Sequence, residues 1–322
     1  ADTDALYLTA IDKYGHELWR WTFPVNKLNQ QTEQLSPLSS RPTYTETEND
    51  LTVKANKRTF IFSKKDGQLK GVSVDNRKIS FANGPRFIGA RRADRSLDQF
   101  YNHDDEKAKE KDRTYSEFPD AAVFTKLDVK QDGGDLIVTA NYKLGNLDKA
   151  QWTINPSGDL ALDYTYNFSG VVDLMGIRFD YPEDQVISKR WLGAGPYRVW
   201  QNRIHGTQYD VWENDYNDPI PGETFTYPEF KGYFGNVSWM NIQTKEGTIS
   251  LTNETPDAYI GVYQPRDGRD RLLYTLPESG ISVLNVIPPV RNKVNSTDLC
   301  GPSSQPKWVN GPQTGRVIFR FM

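Results

Sequence analysis

The sequence predicts an all-β protein, a large antiparallel supersandwich that follows a short β segment. Short runs that alternate apolar and polar residues recur along nearly the whole chain, and Gly, Asn, Asp and Pro cluster between them. The best helix candidate, residues 104–113, is charged all round and is interpreted as a loop. A parallel sheet needs crossover connections, so we expect the strands to pair in antiparallel fashion.

The short β segment is expected near the start of the chain. Residues 5–10 and 17–23 have the composition and alternation of strands. Residues 12–15, which end in Gly15, predict the hairpin turn that joins them. A polar stretch rich in Gln and Ser follows and is typical of a linker.

This pattern divides the chain into three parts. Residues 1–27 form the short β segment, residues 28–43 the linker, and residues 44–322 the supersandwich. Within the third part, turns with Gly or Pro separate successive strands, as at residues 65–68 and 156–159. The expected strands are residues 51–55, 59–63, 69–74, 122–129, 136–142, 151–154, 160–168, 176–180, 235–243, 247–253, 258–263, 281–286 and 315–321.

Residues 193–229 differ from the rest of the chain. They are dense in Gly, Pro, Trp, Tyr and Asn and show little alternation. Long irregular segments in compact domains are usually functional or disordered, and the aromatic density argues against disorder. We therefore expect functional side chains in this segment.

Composition excludes several classes of function. The net charge of -3 lacks the basic excess of a nucleic-acid-binding domain. No apolar run approaches the about 18 residues of a membrane span. The single cysteine, Cys300, and the three histidines, His16, His103 and His205, do not suit a metal cluster, and the sequence has no nucleotide-binding motif. We expect neither a metal nor another cofactor.

Aromatic content is high, at 12%, and suggests contact with carbohydrate. A sugar ring presents C–H groups that stack on an indole or phenol face, and arginine donates several hydrogen bonds to hydroxyl groups. The candidate sugar-contacting residues are Trp200, Arg203, Tyr209, Trp212 and Trp308. The alternative is that these aromatic residues fill the core and that Arg203 ties its own loop.

Catalysis on this chain would need a proton-transferring set. No Ser-nucleophile or metalloprotease motif is present, and with 42 acidic residues a pair of carboxylates carries no information by itself. The only plausible set is His205 with Asp210 or Glu229. This set is the alternative to our main prediction, which is that the chain carries no catalytic residue.

Several motifs together resemble one known family. They are residues 60–69, Gly84-Pro85-Arg86-Phe87, Met-Gly-Ile-Arg-Phe at 175–179, Arg-Trp-Leu-Gly-Ala-Gly-Pro at 190–196, and Asn202-Arg203. In order and spacing, the chain resembles the C-terminal domain of glycoside hydrolase family 2 β-galactosidases over residues 45–320. An acidic residue of the family pattern is replaced here by Asn202.

The resemblance implies a supersandwich related to galactose-mutarotase-like folds. It also implies that residues 1–27 are the last strands of a preceding immunoglobulin-like sandwich or a hairpin that docks on this domain. In that family the catalytic glutamates lie on a separate barrel, so the expected partners are other domains of a parent hydrolase and carbohydrate. A bacterial periplasmic or cell-surface location follows from the resemblance alone.

Three functions remain open. The first is a non-catalytic domain that supports the catalytic barrel of a β-galactosidase-like hydrolase. The second is a free-standing carbohydrate-binding protein. The third is a sugar epimerase or lyase that works on the sandwich itself and uses the His205 set.

Overall fold

The computed structural model of the 322-residue chain describes residues 3, 5–25, 40–92, 115–216, 231–264, 276–289 and 301–322. The predicted loop at residues 104–113 lies outside these ranges. No α-helix occurs in the described parts of the chain, where strands are joined by turns and two single turns of 3-10 helix. None of the described residues forms a helix long and apolar enough to cross a membrane.

The strands form three antiparallel sheets, which confirms the predicted all-β class. The two-stranded sheet consists of β1 (Ala5–Ile11) and β2 (Glu17–Pro24). The ten-stranded sheet consists of β3 (Thr43–Glu46), β4 (Asp50–Ala55), β5 (Arg58–Ser63), β6 (Leu69–Val74), β7 (Arg77–Ile79), β8 (Ala82–Arg92), β9 (Tyr115–Glu117), β14 (Leu174–Asp180), β19 (Tyr259–Gly261) and β20 (Ile281–Val286). The nine-stranded sheet consists of β10 (Val123–Asp132), β11 (Asp135–Lys143), β12 (Leu147–Ile154), β13 (Leu160–Val172), β15 (Val186–Gly195), β16 (Gln208–Asp215), β17 (Trp239–Thr244), β18 (Gly247–Asn253) and β21 (Lys307–Phe321).

The hairpin of β1 and β2 turns where the sequence predicts it. Gly15 adopts a φ of 88°, and the Asp12 carboxylate accepts hydrogen bonds from the backbone N–H groups of Tyr14 and His16 at 2.8 and 2.9 Å. The bond from His16 is the main reason that the pKa of the Asp12 carboxyl is lowered. An aspartate that bonds the backbone ahead of it is a typical turn former.

The nine-stranded sheet contains two groups of strands, β10–β13 and β15–β18, and the strands of each group are neighbours in sequence. Its order is β10-β11-β12-β13-β21-β18-β17-β15-β16. Strand β21 lies between the two groups and pairs with β13 over thirteen residue pairs, from Leu160↔Phe319 to Val172↔Lys307. At one end of this pairing the guanidinium of Arg320 donates to both carboxylate oxygens of Asp159, at 2.6 and 2.7 Å. Burial alone raises the pKa of Asp159, but the hydrogen bonds and charge of Arg320, together with hydrogen bonds from Asn155 and Ser157, outweigh it and lower the pKa.

The main core lies between the nine-stranded and ten-stranded sheets. Trp152 of β12, Phe179 of β14 and Phe319 of β21 are fully buried in it. The Phe179 ring lies 6.0 Å from the Trp152 ring and 5.4 Å from the Phe319 ring, both edge to face. Aromatic side chains bury large apolar areas, so these contacts hold the two sheets together.

A smaller apolar cluster covers the other face of the ten-stranded sheet. Phe87 of β8 points into the main core, so its neighbour Ile88 points the opposite way. There Ile88 joins a cluster that contains Val199, Trp200 and Tyr233. This second layer places the segment after β15 against the outside of the sandwich.

Two predictions about the elements need correction. Residues 193–229 are not irregular throughout, because β15 reaches Gly195 and Gln208–Asp215 forms the regular strand β16. Trp308 is not in a loop but near the start of β21, which begins eight residues before the predicted position 315. Strand β21 pairs with β13 and β18, which are distant in sequence, whereas β16 pairs with the preceding strand β15. In both cases the pairing gives the strand a regularity that its composition does not predict.

We expect Trp152→Ala to destabilise the protein by about 3–5 kcal/mol, because it removes a fully buried indole and leaves a cavity. Urea unfolding followed by circular dichroism measures this change. Trp308→Ala is the matched control, since Trp308 is 71% exposed, and its effect should stay within about 0.5 kcal/mol. Equal unfolding midpoints for the two variants would contradict the core assignment.

Candidate functional site

The predicted site residues begin with a turn that follows β15. Trp200 and Arg203 close it by two backbone hydrogen bonds, from Trp200 N to Arg203 O at 3.3 Å and from Arg203 N to Trp200 O at 2.9 Å. The Trp200 ring is fully buried and packs edge to face on Tyr233, with the ring centroids 5.8 Å apart. It therefore has no face open to a sugar, and its role is to anchor the turn. The Arg203 side chain is exposed.

A second segment docks against this turn. Gln201 is nearly buried, and its side-chain amide nitrogen donates to the backbone carbonyls of Ser303 and Gln305 at 2.9 and 2.7 Å. Asn202 donates from its amide to Ser304 Oγ at 3.1 Å. The residue that replaces the expected acid thus bonds residues 301–305 and ties them to the rim that carries Arg203.

Trp308 follows this segment directly and is the most exposed tryptophan, at 71%. Its backbone pairs with Val171 of β13, so the indole projects from a regular strand. It faces outward with the other even-numbered residues of β21, because side chains of a strand alternate between its two faces. Of the predicted stacking residues, Trp308 presents the most open ring.

Tyr209 and Trp212 do not form one platform. They lie three residues apart on β16, whose pairing with β15 has no register shift, so their side chains project to opposite faces. Tyr209 shares a hydrogen bond of 2.6 Å with the hydroxyl of Ser238. Trp212 is half-buried against Gly195, where a Cβ atom would collide with the indole, and it donates to Gln208 O at 3.1 Å.

The acid of the alternative catalytic set holds the hairpin. Asp210 is buried on β16, and its carboxylate accepts a hydrogen bond of 2.5 Å from the Tyr7 hydroxyl. A guanidinium nitrogen of Arg20 lies 4.0 Å from the same carboxylate. His205 is exposed, and Glu229 lies outside the described residues. The engagement of Asp210 with Tyr7 and Arg20 fits a structural role.

A polar groove on the outer face of the nine-stranded sheet is not predicted from the sequence. Arg316 of β21 makes ion pairs with Asp163 of β13 at 2.5 Å and with Glu254 at 3.0 Å. Lys149 and Gln151 of β12, with Thr165 and Thr314, also line this groove, which has a volume of about 340 Å³. Once β21 is known to be a strand, the alternation of side chains between its two faces assigns Arg316 to the outer face with the other even-numbered residues.

In the described part of the chain, no group of three or more His, Cys, Asp or Glu side chains is arranged to hold a metal ion. The chemical groups of the site are hydrogen-bonding side chains and exposed aromatic rings. The rim is formed by the turn at Trp200 and residues 301–308, and the groove lies along β13 and β21.

The chain is similar to one protein family in sequence and to several solved structures in fold. The beta galactosidase small chain family matches residues 54–288. Solved structures similar to the chain include galactose 1-epimerase from Lactobacillus acidophilus, at 8% identity and a TM-score of 0.49, over 88% of this chain and 99% of the epimerase. An aldose epimerase homologue from C. elegans is similar at 7% identity and a TM-score of 0.37, over 87% of this chain and 99% of the homologue. No curated protein matches the sequence significantly.

We expect Asp210→Ala to loosen the hairpin, because it removes the carboxylate that the Tyr7 hydroxyl and Arg20 engage. Amide hydrogen exchange followed by mass spectrometry should show faster exchange in residues 5–24 and little change in the two large sheets. Glu213→Ala, an exposed position on the same strand, is the control and should leave the exchange of residues 5–24 unchanged. A hairpin that exchanges equally in both variants would show that Asp210 does not hold it.

Proposed function

The chain belongs to the beta galactosidase small chain family, and on that premise we propose that it is a non-catalytic domain of a glycoside hydrolase. In this proposal it supports a catalytic barrel that another part of the parent protein supplies, as in the family 2 β-galactosidases that the sequence resembles. The observation that carries the proposal is the apolar face of the hairpin, which needs another domain to cover it.

The hairpin is amphipathic, and its apolar face is open. Register pairs Leu6 with Phe23, Leu8 with Trp21 and Ala10 with Trp19, so these residues share one face. The five large side chains on it are between 45 and 61% exposed: Leu6, Leu8, Trp19, Trp21 and Phe23. A two-stranded sheet is marginally stable alone, and large contiguous apolar patches mark interaction surfaces.

The opposite face of the hairpin faces the supersandwich. Tyr7 and Arg20 lie there and engage Asp210 at the edge strand β16. The guanidinium of Arg20 also lies 5.0 Å from the centre of the Tyr7 ring, a cation–π contact that orders both side chains. One face of the hairpin thus contacts the supersandwich, and the other is apolar and open, as expected of a layer that lies between two domains.

Residues 1–27, which carry this open apolar face, are proposed to be the last strands of a preceding immunoglobulin-like sandwich. In a sandwich, two sheets bury their apolar faces against each other. The open face of β1 and β2 supplies one half of such a core, and strands of the preceding domain supply the other. Residues 44–322 then form the supersandwich domain, and residues 28–43 connect the two.

The catalytic acids of the parent hydrolase are proposed to lie on the barrel. The acid of the alternative set on this chain, Asp210, already serves the hairpin. The substrate of the parent enzyme is proposed to be a β-galactoside-like carbohydrate. Its location is proposed to be the bacterial periplasm or cell surface, which the resemblance to the family supports.

We expect this chain alone to release no 4-nitrophenol from 4-nitrophenyl β-galactoside above the buffer blank. The same chain produced with its upstream coding region should hydrolyse an aryl glycoside. Absorbance at neutral pH measures both, and a panel of aryl glycosides identifies the sugar. Hydrolysis by the isolated chain that tracks the purified protein would overturn the non-catalytic assignment.

The hairpin provides a second test, because one substitution should act differently in two contexts. In the isolated chain, Trp21→Ala should change the unfolding free energy by less than about 1 kcal/mol, since the ring is half-exposed. In the longer protein the ring is covered, and the same change should cost about 3–5 kcal/mol. Thr22→Ala, on the opposite face, is the control and should have a small effect in both. Equal losses for Trp21→Ala in the two contexts would contradict a covering domain.

A further inference from the structure

We propose that the outer face of the nine-stranded sheet binds a neutral oligosaccharide along the paired strands β13 and β21. The strip runs from Trp308 to the groove around Arg316. It is independent of the supporting role proposed above, because binding by this chain neither requires nor excludes a catalytic domain elsewhere.

The strip has a defined track. Because β13 and β21 pair without a register shift, outward residues stand in facing pairs along both strands. Asn310 faces Ser169, and their side chains are hydrogen-bonded at 2.8 Å. Thr314 faces Thr165 further along. Ser169, Asn310 and Thr314 are exposed and Thr165 is half-buried, and their hydroxyl and amide groups can donate and accept hydrogen bonds, as sugar hydroxyls do.

The groove at the end of this track is polar and balanced in charge. Its charged lining consists of two basic side chains, Lys149 and Arg316, and two acidic ones, Asp163 and Glu254. The ion pairs to Asp163 and Glu254 hold the Arg316 guanidinium in place. Each carboxylate has a second oxygen that can accept a hydrogen bond, and Lys149 can donate. A balanced set of this kind favours a neutral, hydroxyl-rich ligand over an anionic chain, which would select an excess of basic groups.

The other end of the strip supplies a stacking face. The Trp308 indole is exposed on a strand whose backbone is paired, so the backbone that carries the ring is fixed before a ligand arrives. Binding then costs the entropy of ordering the side chain but not that of ordering the backbone. Trp308 and Arg316 are eight positions apart, which corresponds to about 27 Å of extended strand. This length suits several linked sugars rather than a monosaccharide.

The polarity of the strip also decides against a protein partner. The centre of a protein–protein interface is depleted in charged residues and enriched in apolar contacts. Here Trp308 is the one aromatic ring among the outward residues of the described strands β13 and β21, and the centre is formed by the pairs Ser169–Asn310, Asn167–Pro312 and Thr165–Thr314. A single aromatic face beside many hydrogen-bonding groups fits a sugar chain.

Calorimetric titration of the isolated chain tests the proposal. The probes are four neutral tetrasaccharides, β-1,4-linked galactotetraose, cellotetraose, xylotetraose and mannotetraose, with galactose as the short comparison. At least one tetrasaccharide should bind at a single site, and galactose should bind at least tenfold more weakly. Trp308→Ala should lower the affinity for that tetrasaccharide at least tenfold, and the double substitution Lys149→Ala with Gln151→Ala should lower it several-fold.

The control is Trp21→Ala, which removes another exposed indole on the hairpin and should leave the affinity unchanged. Circular dichroism and the urea midpoint establish that each variant is folded. The proposal is overturned if no tetrasaccharide binds at millimolar concentration, or if either strip variant binds as well as the parent chain. Because the titration involves no hydrolysis, its failure leaves the supporting role intact.

Discussion

The pairing of β21 with β13 is the constraint on which the nine-stranded sheet depends. Without it, β10–β13 would form one meander and β15–β18 a separate group in the order β18-β17-β15-β16, each with open edges. The same strand places Phe319 in the core and Arg320 on Asp159. Its outward face carries Trp308 and Arg316. One strand therefore holds the sandwich together from within and carries the polar strip on its surface.

The sequence predicts what is local in this fold. The hairpin at Gly15 and the turn at Gly67, which adopts a φ of 74°, follow from residues that tolerate left-handed backbone. Strand β16 is not predicted, because its apolar and polar residues do not follow one face: Asp210 and Asn214 are buried, and Tyr209 and Trp212 project to opposite sides. Burial of a polar residue depends on a distant partner, such as Tyr7 for Asp210, and no local pattern encodes it.

The candidate site shows the same limit for aromatic residues. Composition identifies Trp200 and Trp308 equally as stacking rings, but one is enclosed and the other open. The difference arises because a second apolar layer outside the ten-stranded sheet encloses Trp200, whereas Trp308 lies on the outer face of β21. A high aromatic content thus indicates which segments contain many rings, but the sheet topology determines which of these rings are exposed to solvent. The groove at Arg316 likewise exists only because β12, β13 and β21 become neighbours.

The long separation between the two central strands also determines how the molecule must assemble. Val172 and Lys307 are paired across 135 residues, and the remaining pairs of β13 and β21 are more distant still. Contacts of such high sequence separation form slowly, because a large loop must close before they contribute. Until β21 is inserted, the edges of β13 and β18 expose unpaired backbone groups, which are templates for aggregation. The folding chain is therefore most prone to self-association in the period before β21 is inserted and the sandwich is complete.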